Sequence, residues 1–425
     1  MNFVDIIHPK FNSIIFFITL VYILTASACK AQLPPVENLP RQVDLPDPLK
    51  MMDGSPVKTA KDWYNKRRPE LKLLFQHYMY GYLPPKPKIN ITLVKQDKNL
   101  FDGKATYKEI ELELLLPENK THIINLALFV PNENSKPSPV FLALNGCGNH
   151  TLIDYDEITI IEQPWLHRGC KSDFFKRGSR SHIWAVENII DHGYALATFA
   201  VADMDPDKDD WTDGIHANYP SAPGDQDSKW GTIAAWAWGI HRIVDYLETD
   251  PEIDNDRICV TGWSRRGKTA LFAAAMDERI DLVIPHQSGT GGMALSRMNP
   301  SESVARINTS FPHWFNDNFV KFNDAVDRLP IDQHLLIALV APRPLMDNAG
   351  LKDTWASPQL ALEAMKAATP VYELLGEKGI VGKGCVKDTI GNIEMGRLLQ
   401  YQRDTEHELN IDYWNAMIEF ANRQL

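Results

Sequence analysis

Cysteine is scarce in this 425-residue sequence, and the five present are not arranged as metal ligands. Cys147, Cys170, Cys259 and Cys385 lie too far apart for the paired spacing of a zinc site. His150, His167, His182, His192 and His216 are likewise scattered, and HExxH does not occur. Metal catalysis is therefore not expected, and no metal or cofactor is assigned. Basic residues form no block and the formal net charge is -11, which argues against nucleic acid or an anionic membrane as partner. The same acidity would repel an acidic polymer unless Arg and Lys side chains offset it locally. Only one apolar run, Ile14 to Leu24, approaches membrane-span length, and it is shorter than the about 20 residues a span needs. There is no internal repeat. With 44% hydrophobic and 23% charged residues, the chain has the composition of a folded domain rather than a disordered one.

The apolar run follows Lys10 and ends at Ala26, Ser27 and Ala28, the pattern of a secretory signal over residues 1–28. Secretion or periplasmic export follows, with a lipid anchor on Cys29 left open. Export permits disulfides, and the four later cysteines are read as buried thiols or one structural bridge. Residues 29–48 include the Pro-rich stretch Pro34 to Pro48 and read as an extended linker, so that one catalytic domain occupies residues 49–425. A helix is expected over Lys61 to Tyr80. Strand patterns follow at Ile110 to Leu116, Ile123 to Val130 and Val140 to Leu144.

Strand and helix patterns then alternate. Strands are read at Ala195 to Ala200, Ile258 to Thr261, Leu282 to Pro285, Pro344 to Asn348 and Val371 to Leu375. Helices are read at Gly231 to Glu248, Arg265 to Met276, Pro358 to Ala368 and Ile411 to Asn422. This order predicts a doubly wound α/β fold with a mostly parallel central sheet between helical layers. Thr151 to Lys176 and Asp203 to Lys229 are loops or insertions at one end of that sheet, where ligand sites form.

Arg257 to Ser264 runs from an apolar strand into a sharp turn, and a helix begins at Arg265, the shape of a nucleophile elbow. The Arg265 N–H could then face a developing oxyanion. The common GxSxG spacing is not kept, because Arg266 stands two residues after Ser264 and the glycine comes at Gly267. A serine capping a helix would produce the same junction. A triad in the order Ser, acid, His finds Asp353 in a loop after a strand and His407 in a polar loop before the last helix. A solvated loop Asp and a surface His are the plainer alternatives. Asn145 to His150 ends an early strand in a glycine-rich turn that could add a second oxyanion donor.

At these residues the sequence resembles the glucuronoyl esterases, carbohydrate esterase family 15, whose elbow reads Val-Thr-Gly-Cys-Ser-Arg-x-Gly-Lys. Val260 to Lys268 reads VTGWSRRGK, so the shifted glycine is that family's own pattern. Further matches are Trp236 to Gly239 with Arg242 and Asp245, Glu302, Pro312 to Phe315, Leu329 to Leu345, Asp353 and Trp355. The resemblance runs from the Tyr80-Gly81 region to the C-terminal helix, and it implies an alpha/beta-hydrolase.

It also implies Ser264 as nucleophile, His407 as base and Arg265 as oxyanion support, with Lys268, Glu302, Trp355 and Gln287 lining a sugar pocket. A solvated Lys268 and a core Trp355 stay open as alternatives. Many members carry a catalytic Glu where this chain has Gln287, ahead of Ser288 to Gly292, so the acid role passes to Asp353. Trp263 replaces the Cys before the nucleophile, which removes a disulfide partner of some relatives. The implied substrate is an ester of 4-O-methyl-glucuronate in glucuronoxylan with a lignin alcohol, a plant cell-wall polysaccharide, handled by a monomer. Removal of acetyl groups from xylan and sugar binding without turnover are the competing readings.

Overall fold

The computed structural model describes residues 33–133, 136–162, 170–171 and 175–425. The expected signal segment and Cys29 lie outside the described residues. Ten strands form one sheet: β1 (Lys88–Leu100), β2 (Ala105–Leu115), β3 (Thr121–Pro131), β4 (Ser138–Asn145), β5 (Ala195–Ala200), β6 (Ile253–Trp263), β7 (Leu282–His286), β8 (Leu345–Gly350), β9 (Ile380–Lys387) and β10 (Leu398–Arg403). Their order is β1-β2-β3-β5-β4-β6-β7-β8-β10-β9. β1, β2, β3 and β5 pair antiparallel, and every pairing from β5 through β4 to β9 is parallel.

Burial explains which strands are apolar throughout. β4, β5 and β7 are buried at every position, as central parallel strands covered on both faces must be. β1, at the edge, is exposed along most of its length, so it carries little hydrophobic signal and the sequence pattern missed it. β9 and β10 were missed as well. Val371 to Leu375, expected as a strand, instead forms the end and cap of the helix Pro358–Leu374, which continues past Pro370.

One face of the sheet carries Phe141, Cys259, Ile284, Met346 and Tyr401, and packs against the C-terminal helix Ile411–Gln424 through Trp414, Met417 and Phe420. The helices Thr232–Leu247 and Arg265–Met276 cover the other face, as right-handed crossovers between parallel strands require. The chain moves from β4 outward to β5, then crosses back to place β6 on the other side of β4. That reversal opens a crevice at the carboxyl ends of β4 and β6, where open α/β sheets bind ligands.

The domain starts earlier than expected. Val36 and Leu39 are buried, Gln42 N–H donates to the Asp327 carbonyl at 2.7 Å, and the Pro46 carbonyl meets the His334 ring at 2.7 Å. Residues 36–48 are therefore a packed strap rather than a free linker. The strap opens with a short 3-10 turn at Val36–Asn38, and the buried Val36 and Leu39 side chains anchor it.

Phe141 is fully buried, with its ring 4.9 Å from Tyr194 and 5.7 Å edge-on from Trp414. Phe141→Ala should destabilise the protein by about 3–5 kcal/mol, read from the denaturant midpoint at unchanged slope.

Candidate active site

Ser264 stands between β6 and the helix Arg265–Met276 with φ +63° and ψ -126°, a strained conformation for a residue with a side chain. Its N–H donates to the His286 carbonyl at 2.8 Å, and its carbonyl accepts from the Gly267 and Lys268 N–H groups at 2.8 and 3.1 Å. The two glycines of the turn are steric requirements. A Cβ on Gly262 would lie 2.3 Å from the Arg266 carbonyl oxygen, and one on Gly267 would lie 2.8 Å from the Gly262 oxygen. Close approach occurs at 262 and 267, which accounts for the displaced glycine and frees position 266 for a large side chain.

His407 Nδ1–H donates to Asp353 Oδ2 at 2.6 Å. Asp353 lies just beyond the end of β8, is 5% exposed, and accepts the Ala356 N–H through Oδ1 at 3.1 Å. Burial works to raise its carboxyl, but the His407 hydrogen bond and charge outweigh it and hold Asp353 below the usual carboxylate range. The plain alternative of a solvated loop Asp is thereby excluded. The His407 loop is fastened on both sides: Gln287 Nε2 donates to the Glu406 carbonyl at 3.0 Å and His286 Nε2 to the Glu408 carbonyl at 2.7 Å. Burial pushes the His286 ring down to about 3, so it stays neutral at working pH. Trp263 lies under the base, its ring 5.2 Å from that of His407. Ser264 and His407 line one cavity of about 290 Å³, walled by the carboxyl ends of β4 and β6.

Gln287 requires a correction. It is 3% exposed, and its Nε2 donates to the Glu406 carbonyl, so it lies behind the His407 loop and braces it instead of facing the cavity. Lys268 and Glu302 are brought together, their Nζ and carboxylate oxygens 3.1 Å apart, each side chain only 3% exposed. Lys268 also donates to the carbonyls of Ser288 at 2.7 Å and Thr290 at 2.6 Å, so it is not the solvated helix residue of the plainer alternative. Trp355 is half-buried rather than core, and the Arg306 guanidinium lies 4.3 Å from its ring centroid.

Sequence reasoning missed Asp207. Its Oδ2 accepts from Arg265 Nη1 at 2.5 Å, while Oδ1 accepts from His313 Nε2 at 3.0 Å and Trp314 Nε1 at 2.9 Å. The Arg265 guanidinium also packs over Trp314, 4.6 Å from its centroid, beside the Phe311 ring stacked on it at 3.7 Å. Burial opposes the charge on Asp207, but His313, Arg265 and Trp314 together hold the carboxyl far below its ordinary value. Asp207 lies inside a stretch read only as a loop. Nothing near it in sequence marked it as the partner of Arg265, although Pro312 to Phe315 had been noted. The disulfide joins Cys147 to Cys170, tying the turn after β4 to the segment beside it, while Cys259 and Cys385 remain free.

A strained serine at the switch point, a histidine oriented by a buried aspartate and an arginine held by its own carboxylate define a serine-type carboxylic ester hydrolase with the alpha/beta-hydrolase fold. The family model described as "Glucuronyl esterase, fungi" matches residues 181–376. Carbohydrate esterase MZ0003, from an unknown prokaryotic organism, is 39% identical over 398 residues, 90% of this chain and 89% of that protein. The 4-O-methyl-glucuronoyl methylesterase of Phanerochaete carnosa is 31% identical over 84% of this chain and 77% of its own length. Among solved structures, a glucuronoyl esterase from Solibacter usitatus superposes with a TM-score of 0.81 at 33% identity, over 91% of this chain and 99% of that one. The chain belongs to the glucuronoyl esterases, carbohydrate esterase family 15.

Two measurements test these contacts. A carboxyl with a folded value below its unfolded one stabilises the fold fully above about pH 4 and loses that contribution as pH falls through the folded value. Asp353→Asn should therefore flatten the fall in unfolding free energy between about pH 5 and pH 2, while lowering kcat by about four orders of magnitude at neutral pH. Asp207→Asn removes the carboxylate that aims Arg265; kcat should fall about ten- to a hundredfold with a smaller change in KM, measured in steady-state kinetics on an ester substrate.

Proposed function

We propose that this protein hydrolyses esters of 4-O-methyl-glucuronate carried on glucuronoxylan, with Ser264 as nucleophile, His407 as general base and acid, and Asp353 as the triad carboxylate. The observation that carries the reading is the 2.6 Å Asp353–His407 hydrogen bond, with His407 and Ser264 lining one cavity. In the first step Ser264 Oγ bonds to the ester carbonyl carbon as His407 Nε2 takes its proton. Collapse of the tetrahedral adduct breaks the bond to the alcohol oxygen, which leaves with the proton from His407. Water then attacks the acyl-enzyme by the reverse sequence and releases the uronate. Asp353 keeps Nδ1 protonated and stabilises the imidazolium.

The Arg265 guanidinium and its backbone N–H at the start of the helix support the oxyanion. Half-buried Trp355 takes the sugar side, while the enclosed Lys268–Glu302 pair supports it from behind by holding the Ser288 and Thr290 backbone. The substrate is in keeping with relatives named for 4-O-methyl-glucuronoyl ester cleavage. The plant-wall polymer implies a secreted enzyme; among the described residues no helix is long and apolar enough to cross a membrane. The Asp353–His407 bond, with His407 and Ser264 on one cavity, supports turnover over a binding protein that has lost it.

Purified protein should cleave methyl and benzyl glucuronate esters, and Ser264→Ala should lower kcat by about five to six orders of magnitude without loss of fold. Turnover of acetylated xylan alone would replace the proposed substrate with an acetyl ester.

A further inference from the structure

Trp263 ends β6, stands where the family's elbow pattern has Cys, and takes part in none of the hydrolytic steps above. Its indole ring lies 5.2 Å from the His407 ring, with the two planes 33° apart. The His286 ring, its neighbour across the β6–β7 pairing, is 6.5 Å away at 82°. The two histidines differ in charge. Burial pushes the His286 ring down to about 3 and keeps it neutral, whereas His407 becomes an imidazolium each time it takes the serine proton. Trp263 is half-buried, and among the described residues its indole N–H has no hydrogen-bond partner. Hydrogen bonding therefore does not account for the ring's place, and contacts of its carbon framework must. Some of these are packing against the core under the C-terminal helix. The contact with the base is the other part.

Two features of His407 make that contact consequential. Its loop is clamped at the Glu406 and Glu408 carbonyls, but among the described residues the ring itself makes one hydrogen bond, from Nδ1 to Asp353, and its side chain is 39% exposed. A ring tied at one nitrogen can pivot about that bond, and a flat surface against one face limits the pivot. The second feature is charge. Facing the ring are Asp353 from the loop after β8, Arg265 and Arg266 from the elbow, Arg180 from the cavity wall and the neutral His286 from β7, with Glu406 and Glu408 flanking it on its own loop. Among the described residues three arginines and no carboxylate line the cavity that His407 shares. Even with Arg265 balanced by Asp207, this setting opposes a further cation, and the negative face of an indole offsets part of that cost. A Cys at 263 would present no such face. Because Trp263 and Ser264 are consecutive, the elbow that fixes the nucleophile also fixes the surface against which the base rests.

We propose that Trp263 is a positioning residue for the base: its indole face carries the His407 ring and stabilises the imidazolium that forms as Ser264 gives up its proton. The assignment rests on the triad reading above. The test measures kcat and KM on benzyl glucuronate for wild type, Trp263→Phe and Trp263→Leu. Phe keeps an aromatic face, and Leu keeps apolar bulk without one. The charge contact is worth about two- to fivefold in rate, and the freed pivot adds to the loss. Trp263→Leu should therefore lower kcat about tenfold with KM within about twofold of wild type, while Trp263→Phe should stay within about threefold in kcat. Equal losses in the two variants, or a loss confined to KM, would overturn the proposal while leaving the triad reading intact.

A spectroscopic readout is independent of turnover. An imidazolium against an indole quenches its emission more than a neutral imidazole does. The emission that Trp263→Phe removes should therefore brighten between about pH 5 and pH 8, the range over which a histidine ordinarily changes charge. His407→Gln should abolish that change, and a change that persists in His407→Gln overturns the contact. If no ester is cleaved, the triad reading fails, and this titration alone decides whether the indole carries the His407 ring. Thermal melts identify a leucine variant that fails to fold, and Trp263→Met, flexible and without a ring, then replaces it in the kinetic test.

Discussion

Ser264 and the loop that carries His407 are both held by two consecutive residues at the carboxyl end of β7. The His286 carbonyl accepts the N–H of Ser264 and so pins the elbow, while the His286 ring and the Gln287 amide hold the carbonyls of Glu408 and Glu406 on either side of the base. Ser264 and His407 come from chain segments more than a hundred residues apart, and one buried dipeptide holds the backbone of both. The two bonds to the His407 loop each need an N–H donor. His286 remains neutral because burial makes its charged form costly, and Gln287 is neutral by composition. A carboxylate at 287 would face the Glu406 carbonyl with no proton to give.

The same economy of charge appears on the far side of the serine. Arg265 is paired with Asp207, and Lys268 with Glu302. All of these groups except the Arg265 guanidinium are nearly enclosed, so each cation brings its own counter-charge into the interior, as burial of an ion demands. The chain's excess of acid therefore does not settle the field at the serine; these pairs do. They leave Arg265 oriented while most of its charge is balanced, a condition suited to a neutral ester that becomes an anion only on release.

Elements buried on both faces were legible in the sequence because their apolar runs are continuous. β4, β5, β6 and β7 were each located, and the helix after Ser264 had its bounds as observed. The two edge strands were not: β1 is mostly solvent-exposed, and β9 alternates among exposed, half-buried and glycine positions. At the site, triad order and strand-to-loop position singled out Ser264, Asp353 and His407 as candidates; the structure bonds Asp353 to His407 and lines one cavity with Ser264 and His407. Asp207 could not be singled out, since its role is defined only by the fold bringing it to Arg265. Gln287 was noticed at the right position but given the wrong task. Local sequence reveals which residue departs from a pattern, whereas its hydrogen-bond partner lies 119 residues away.

The placement of the acid follows from the pairing of β7 with β8, in which His286 lies beside Asn348. The loop bearing His407 rests across the ends of both strands: it is held by Gln287 after β7, and by Leu351 and Lys352 N–H groups that donate to the Arg403 and Thr405 carbonyls after β8. A side chain from either strand end can therefore approach the imidazole. In this chain the β8 loop supplies the carboxylate, and the β7 end is released to serve as an amide clamp. The two roles are complementary, because an acid that reaches Nδ1 from a loop orients the ring only if the loop carrying the ring is itself fixed. Gln287 supplies that fixation, so the substitution that looked like a weakened triad is the counterpart of Asp353.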